Sequence, residues 1–256
     1  ASLATNANTI DISATSVGAT TYSYGLSDNS KLILNKQSGT QTVRINANTT
    51  FRVYDPAYGL SNSAIIATSG SRLALDINAT SKASDGAVAG SKAFGLEDSK
   101  IESGAEADVI SITARHRLSV DSNTSQALVN SEIKTGLGND VVRLHTDQAY
   151  IYNQHSLYQS TIDLGGGDDA ISLNSGFIGA TIIGGDGYDV LETRGLTSQL
   201  ANSLFKLKYL GNRKFKVDGH TLTGTLDGIE LIKFDDLNYD LTSFYLKEKK
   251  WNGSSA

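Results

Sequence analysis

The middle of the chain alternates between apolar and polar positions. Val109-Ile110-Ser111-Ile112, Val141-Val142-Arg143-Leu144 and Ala170-Ile171-Ser172-Leu173 each repeat apolar positions at a spacing of two, and Val190-Leu191-Glu192-Thr193 keeps the frame with Thr in the last place. A period of two marks a strand with one buried face. A second short run recurs upstream of such strands, opening on a small residue with an aliphatic two later. It reads Ser63/Ile65, Ser99/Ile101, Ser131/Ile133, Ser160/Ile162 and Ala180/Ile182. Set in one frame, these runs predict stacked rungs. Ile110, Val142, Ile171 and Leu191 form an inward file beside Ile112, Leu144 and Leu173.

Earlier rungs keep the frame more loosely. Thr42-Val43-Arg44-Ile45 and Leu73-Ala74-Leu75-Asp76-Ile77 read as strands of the same set. Tyr24-Gly25-Leu26-Ser27 and Tyr58-Gly59-Leu60-Ser61 echo each other, and Gly95-Leu96-Glu97 falls in the same place. Residues 1–20 open the fold as a strand or cap. A third, variable side is placed at Arg117-Leu118-Ser119-Val120 and Ala149-Tyr150-Ile151-Tyr152. After Gly195 the period breaks. Short runs from Leu204 to Asp236, separated by Gly-Asn and Asp-Gly turns, predict antiparallel strands.

The expected fold is therefore all-β: a parallel β-solenoid over 1–195, a small C-terminal antiparallel β cap over 196–243, and a tail at 244–256. A last rung exposes apolar core and an open strand edge, which is the physical reason for a cap.

Between the two runs of each rung lies the densest pattern in the chain. It reads Gly136-Leu137-Gly138-Asn139-Asp140, Gly165-Gly166-Gly167-Asp168-Asp169 and Gly185-Asp186-Gly187-Tyr188-Asp189. A weaker copy, Gly104-Ala105-Glu106-Ala107-Asp108, precedes them, while Gly39 and Gly70 sit at the same corner without the Asp. Glycines turn the backbone at positive φ and bare its carbonyls, and the Asp adds a carboxylate at the far end of the turn. Carbonyl and carboxylate oxygens are what Ca2+ takes, six to eight at a time, so one turn is too few and two stacked turns suffice. Rungs stack about 4.8 Å apart. Carboxylates that close repel by about 3 kcal/mol per pair at an effective dielectric of 20, and a cation between them reverses the sign. The candidate metal residues are Gly104 and Asp108; Gly136, Gly138 and Asp140; Gly165, Gly167 and Asp169; and Gly185, Gly187 and Asp189. Asp168 and Asp186 lie inside the turns as ligands or solvated groups, and Glu106 replaces a glycine and is a further candidate.

The Gly-x-Gly-x-Asp-x-aliphatic unit resembles the glycine- and aspartate-rich repeat of the RTX, or hemolysin-type, calcium-binding proteins. Gly228-Ile229-Glu230-Leu231-Ile232-Lys233-Phe234-Asp235-Asp236 looks like the segment that closes many bacterial, notably cyanobacterial, arrays of this family. The Asp-to-Asp spacings of 32, 29 and 20 residues depart from a strict roll with two repeats per turn, so one corner per rung carries the motif. The resemblance implies calcium as the cofactor, type I secretion and a place at the bacterial cell surface. It also implies assembly, as in a surface layer or matrix, through self-association or surface polysaccharide.

Composition narrows the alternatives. The chain has no Cys, which excludes disulfides, thiolate zinc sites and a Cys nucleophile. It has no Met either, which suggests a processed chain or a piece of a longer one. The net charge of −5 comes without a basic patch suited to nucleic acid, and no apolar run reaches a membrane span. Asp168-Asp169 is a poor glycosidase pair, since adjacent turn residues seldom face one substrate. His116, and His145 with Arg143, Tyr150, Tyr152 and His155, describe a flank groove like those of β-solenoid lyases and epimerases, or a solvated face. The expectation is a non-enzymatic, extracellular, calcium-stabilised structural protein. A carbohydrate-active module and the secretion module of an exoprotein are the alternatives.

Overall fold

The computed structural model describes residues 1–18, 22–51, 56–68, 70–83, 92–117, 124–146, 155–195, 205–219 and 222–245. Two sheets run the length of the molecule, and their strands pair mostly in parallel, as a β-solenoid. The first has nine strands: Thr9–Gly18, Thr40–Phe51, Arg72–Ala83, Val109–Arg117, Val141–Thr146, Ala170–Leu173, Val190–Thr193, Leu231–Lys233 and Asn238–Asp240. The second has fifteen strands, and twelve of them form two files joined through Gly176–Ile183. One file is Ser2–Thr5, Lys31–Leu34, Ala64–Ala67, Lys100–Glu102, Glu132–Lys134 and Thr161–Asp163. The other is Ser23–Leu26, Ala57–Ser61, Lys92–Glu97, Thr124–Val129 and His155–Tyr158.

Register follows the aliphatic spacing. Ile110 pairs Val142, Val142 pairs Ile171 and Ile171 pairs Leu191. Across the core, Ile65, Ile101, Ile133, Ile162 and Ile182 pair in sequence. All of these side chains are buried. A one-residue slip would turn every one of them to water, which is why a parallel stack of this kind holds one register. Burial of each contributes about 1.5–3 kcal/mol.

Among the described residues, two corners recur from rung to rung. At one, where the two files meet, a residue takes left-handed backbone: Asn29, Asn62, Asp98, Asn130 and Gln159 with φ between 47° and 59°, then Gly179 at 62°. Asn and Asp tolerate this conformation better than most side chains. The other corner is built by the glycine turns. The expected third side at 118–120 and 149–152 lies outside the described residues, as does 246–256 of the tail.

The C-terminal region is not purely antiparallel. Phe205–Gly211, Lys214–Gly219 and Leu222–Asp227 do form an antiparallel meander, and Asn238–Asp240 returns against Leu231–Lys233. Yet Leu222–Asp227 pairs in parallel with Gly176–Ile183, and Leu231–Lys233 with Val190–Thr193. Leu222, Leu226, Ile229 and Ile232 are buried, continuing the inward files. The open edge of the last glycine rung templates one more rung before the chain turns back over it.

Candidate metal centre at the glycine corner

Gly136, Gly138, Gly165, Gly167, Gly185 and Gly187 all have φ between 90° and 135°. The turns lie directly over one another. A Cβ on Gly165 would sit 1.8 Å from the carbonyl oxygen of Gly136, and one on Gly167 would sit 1.9 Å from that of Gly138. The N–H of Gly166 donates to Gly136 O at 2.8 Å, and that of Asp186 to Gly165 O at 2.9 Å. Glycine is thus required here twice, for the turn and for the stacking distance. Gly104 is different: its backbone is not left-handed, and Glu106 is exposed. The weak copy makes a different turn.

The four aspartates of the motif stand in one column and are buried, with Asp108, Asp140 and Asp189 at 0% exposure and Asp169 at 1%. Each side chain reaches back one rung. Asp140 Oδ1 accepts the N–H of Asp108 at 2.6 Å, Asp169 Oδ1 that of Asp140 at 2.6 Å, and Asp189 Oδ1 that of Asp169 at 3.0 Å. Both ends of the column are closed. Asp108 takes the N–H of Leu73 on Oδ1 at 2.6 Å and that of Gly104 on Oδ2 at 3.2 Å. At the other end Glu230 Oε2 accepts the N–H of Asp189 at 2.8 Å, and its Oε1 meets the guanidinium of Arg213.

The middle of the column is open in a chemical sense. The Oδ2 atoms of Asp140, Asp169 and Asp189 are buried and have no hydrogen-bond partner. Burial is the main cause of a raised pKa at all three, to about 6 for Asp140, about 7 for Asp169 and about 6 for Asp189. Backbone N–H donation opposes it at each, as does the nearby Thr135 hydroxyl at Asp140, although that hydroxyl donates to Leu164 O; neighbouring carboxylates add to it. Burial raises Asp108 as well, against the hydrogen bonds it accepts. A buried unpaired carboxylate is unfavourable by several kcal/mol, so each of these groups needs a proton or a cation.

The residues fit a hard cation by their donor chemistry: unpartnered carboxylate oxygens in file beside a stack of glycine carbonyls. Among the described residues no three acidic, His or Cys side chains converge on one point. An ion here would therefore draw on carboxylates from adjacent rungs plus turn carbonyls, rather than on a cage of side chains. Of the other candidates, Asp168 accepts the N–H of Tyr188 on Oδ1 at 2.8 Å, and both Asp168 and Asp186 are exposed. Glu230 and Arg213 were not among the sequence candidates. Glu230 had a signal, since Gly228-Ile229-Glu230-Leu231-Ile232 keeps the second half of the motif with Glu for Asp. Arg213 had none.

Among the described residues, those of the flank do not share one face. His116 and His155 are buried, while Arg143 and His145 are exposed on the outer face of the nine-stranded sheet. Tyr150 and Tyr152 lie outside the described residues. Comparison of the chain with protein-family models, with curated proteins and with solved structures finds no match in any of the three.

Proposed function

We propose that this chain is a non-enzymatic structural protein of a bacterial cell surface, a β-solenoid made rigid by Ca2+ bound between its glycine turns. The observation that supports this reading most is the file of three buried, unpartnered oxygens on Asp140, Asp169 and Asp189 beside stacked glycine carbonyls. Ca2+ satisfies those oxygens and reverses the repulsion between rungs. Because the ion binds the folded column and not the unfolded chain, its binding energy is folding energy. Where calcium is scarce, as inside a cell, the column resists assembly. Where it is millimolar, as outside, the rungs close. A long parallel stack with mixed polar faces suits a role in a surface layer, matrix or filament, through self-association or contact with surface polysaccharide.

The test is a titration of Ca2+ into chelator-treated protein at neutral pH, followed by calorimetry and thermal unfolding. The expected result is saturable binding with a rise in Tm. A site filled at 100 times its Kd adds about 2.7 kcal/mol. A Tm that does not respond to Ca2+ sinks the reading. Sedimentation with and without Ca2+ then tests assembly separately from binding.

A further inference from the structure

The C-terminal end of the acidic column already holds a cation. The tip of the hairpin Phe205–Gly211/Lys214–Gly219 is Asn212-Arg213, both left-handed with φ of 50° and 61°. This tip lays the Arg213 guanidinium over the last glycine turn. Its Nη1 donates to Gly185 O at 2.9 Å, and its Nη2 donates to Gly228 O at 3.3 Å and to Glu230 Oε1. The guanidinium carbon lies over the ring of Tyr245, 5.5 Å from its centroid.

The register makes this arrangement comparable with the inner rungs. Leu231 pairs with Val190, so Glu230 occupies the column position that follows Asp189. Like each inner Asp, it gives one oxygen to the N–H of the preceding rung. The inner members leave their second oxygen without a partner, whereas Glu230 gives its second oxygen to the guanidinium. The carboxylate oxygen has its counterpart in the unpartnered Oδ2 of Asp140, Asp169 and Asp189, whereas Gly185 O stands where Gly136 O and Gly165 O accept the N–H of Gly166 and Asp186, so at this end the guanidinium also replaces the donor of a further rung.

We propose that Arg213 is a tethered cation that occupies the last inter-turn site, and that the space between the Gly185 and Gly228 turns is a latent Ca2+ site masked by it. This rests on the calcium reading of the inner turns. An arginine is always charged, and its planar fork can reach two carbonyls and a carboxylate together. The cap therefore stays docked at any calcium level, and the series of metal sites ends at a fixed place.

The experiment counts bound Ca2+ by equilibrium dialysis and calorimetry on the full chain. It compares the wild type, Arg213→Met, and Arg213→Met combined with Glu230→Gln. Arg213→Met is expected to bind one Ca2+ more than the wild type, and the double variant to return to the wild-type count. In chelator, Arg213→Met unfolds at a lower temperature than the wild type, and Ca2+ narrows that gap. If Arg213→Met does not fold in chelator, refolding on addition of millimolar Ca2+ supports the masked site, and failure to refold overturns it. A folded Arg213→Met with the wild-type count overturns it as well. A wild type that binds none while the variant binds one sinks the calcium reading of the inner turns but keeps the latent site. Binding by neither sinks both.

Discussion

Two recurring corners of the rungs solve one problem with different chemistry. Where the two files of short strands meet, a buried serine ladder runs parallel to the axis. Ser99 Oγ accepts the N–H of Ser63, Ser131 Oγ that of Ser99, and Ser160 Oγ that of Ser131, each at 3.1 Å. Each of these hydroxyls then donates to a carbonyl two residues upstream, Glu97 O, Val129 O or Tyr158 O. The glycine corner uses the same back-reaching bond, but with aspartate. Serine satisfies the corner completely and brings no charge. Aspartate satisfies the same N–H and leaves an anionic oxygen buried. A side chain wanted only for the hydrogen bond would not need a second carboxylate oxygen, and that oxygen is what the proposed Ca2+, or a proton in its absence, would satisfy.

The largest separation between the corners is expected as pH changes without calcium. Folded Asp140, Asp169 and Asp189 hold protons up to about 6, about 7 and about 6, against an ordinary value of 3.8. Between those limits the folded state binds more protons than the unfolded chain, so stability falls as pH rises. The protonated column's contribution is fully present below about pH 4 and lost above about pH 7. For Asp140, the rise from 3.8 to about 6 corresponds to about 3 kcal/mol. Thermal unfolding in chelator across pH 4–8 measures this, with Ca2+ expected to restore stability at the alkaline end. A chelated Tm that is flat or rises over that range contradicts the buried charge.

Next in size are two changes at Asp169. Asp169→Asn keeps an acceptor for the Asp140 N–H and removes the charge. In chelator at pH 8 it is expected to raise stability by about 1–3 kcal/mol, and to lose most of the Tm gain with Ca2+. Asp169→Ala removes the charge and the acceptor together, so relative to Asp169→Asn it is expected to be less stable by about 1–3 kcal/mol whether or not calcium is present. Identical behaviour of the two variants would mean that the acceptor plays no part at this corner.

Much of the solenoid was legible in the sequence because its information is local and repeated. The alternation at Val141-Val142-Arg143-Leu144 fixes a face, and its copies at Ala170 and Val190 fix the register. The aspartate column follows from the same alignment. What escaped depends on contacts between rungs. Ser99, Ser131 and Ser160 stood out as small residues, but nothing along the chain shows an Oγ receiving an N–H from a rung away. Leu222–Asp227 alternates like any strand, and its parallel pairing is chosen by the edge it meets. Arg213 reaches Glu230 across a hairpin of seventeen residues' separation, so no periodicity could place it there.

Ser131→Ala gives a smaller effect at the uncharged corner. It strips the Ser99 N–H of its acceptor in a buried setting, which costs about 1–3 kcal/mol. Unlike the Asp169 variants, it should lower Tm equally in chelator and in Ca2+, and equally at pH 5 and pH 8. A calcium-dependent penalty would show that the two corners are coupled through the rung.

The smallest effect tests whether burial, rather than the ladder bond itself, sets these magnitudes. A third ladder of the same kind runs over the outside of the glycine turns. Asn139 Oδ1 accepts the N–H of Asp168 at 3.0 Å, and Asp168 Oδ1 that of Tyr188 at 2.8 Å. Asn139, Asp168 and Tyr188 are all exposed. Water replaces the lost acceptor at such a position, so Asn139→Ala is expected to change stability by no more than about 0.5 kcal/mol. The bond geometry matches that of the buried ladders, while the desolvation does not. A loss as large as that of Ser131→Ala, measured by the same thermal unfolding, would mean that stacking order itself carries the stability and that neither burial nor charge distinguishes the corners.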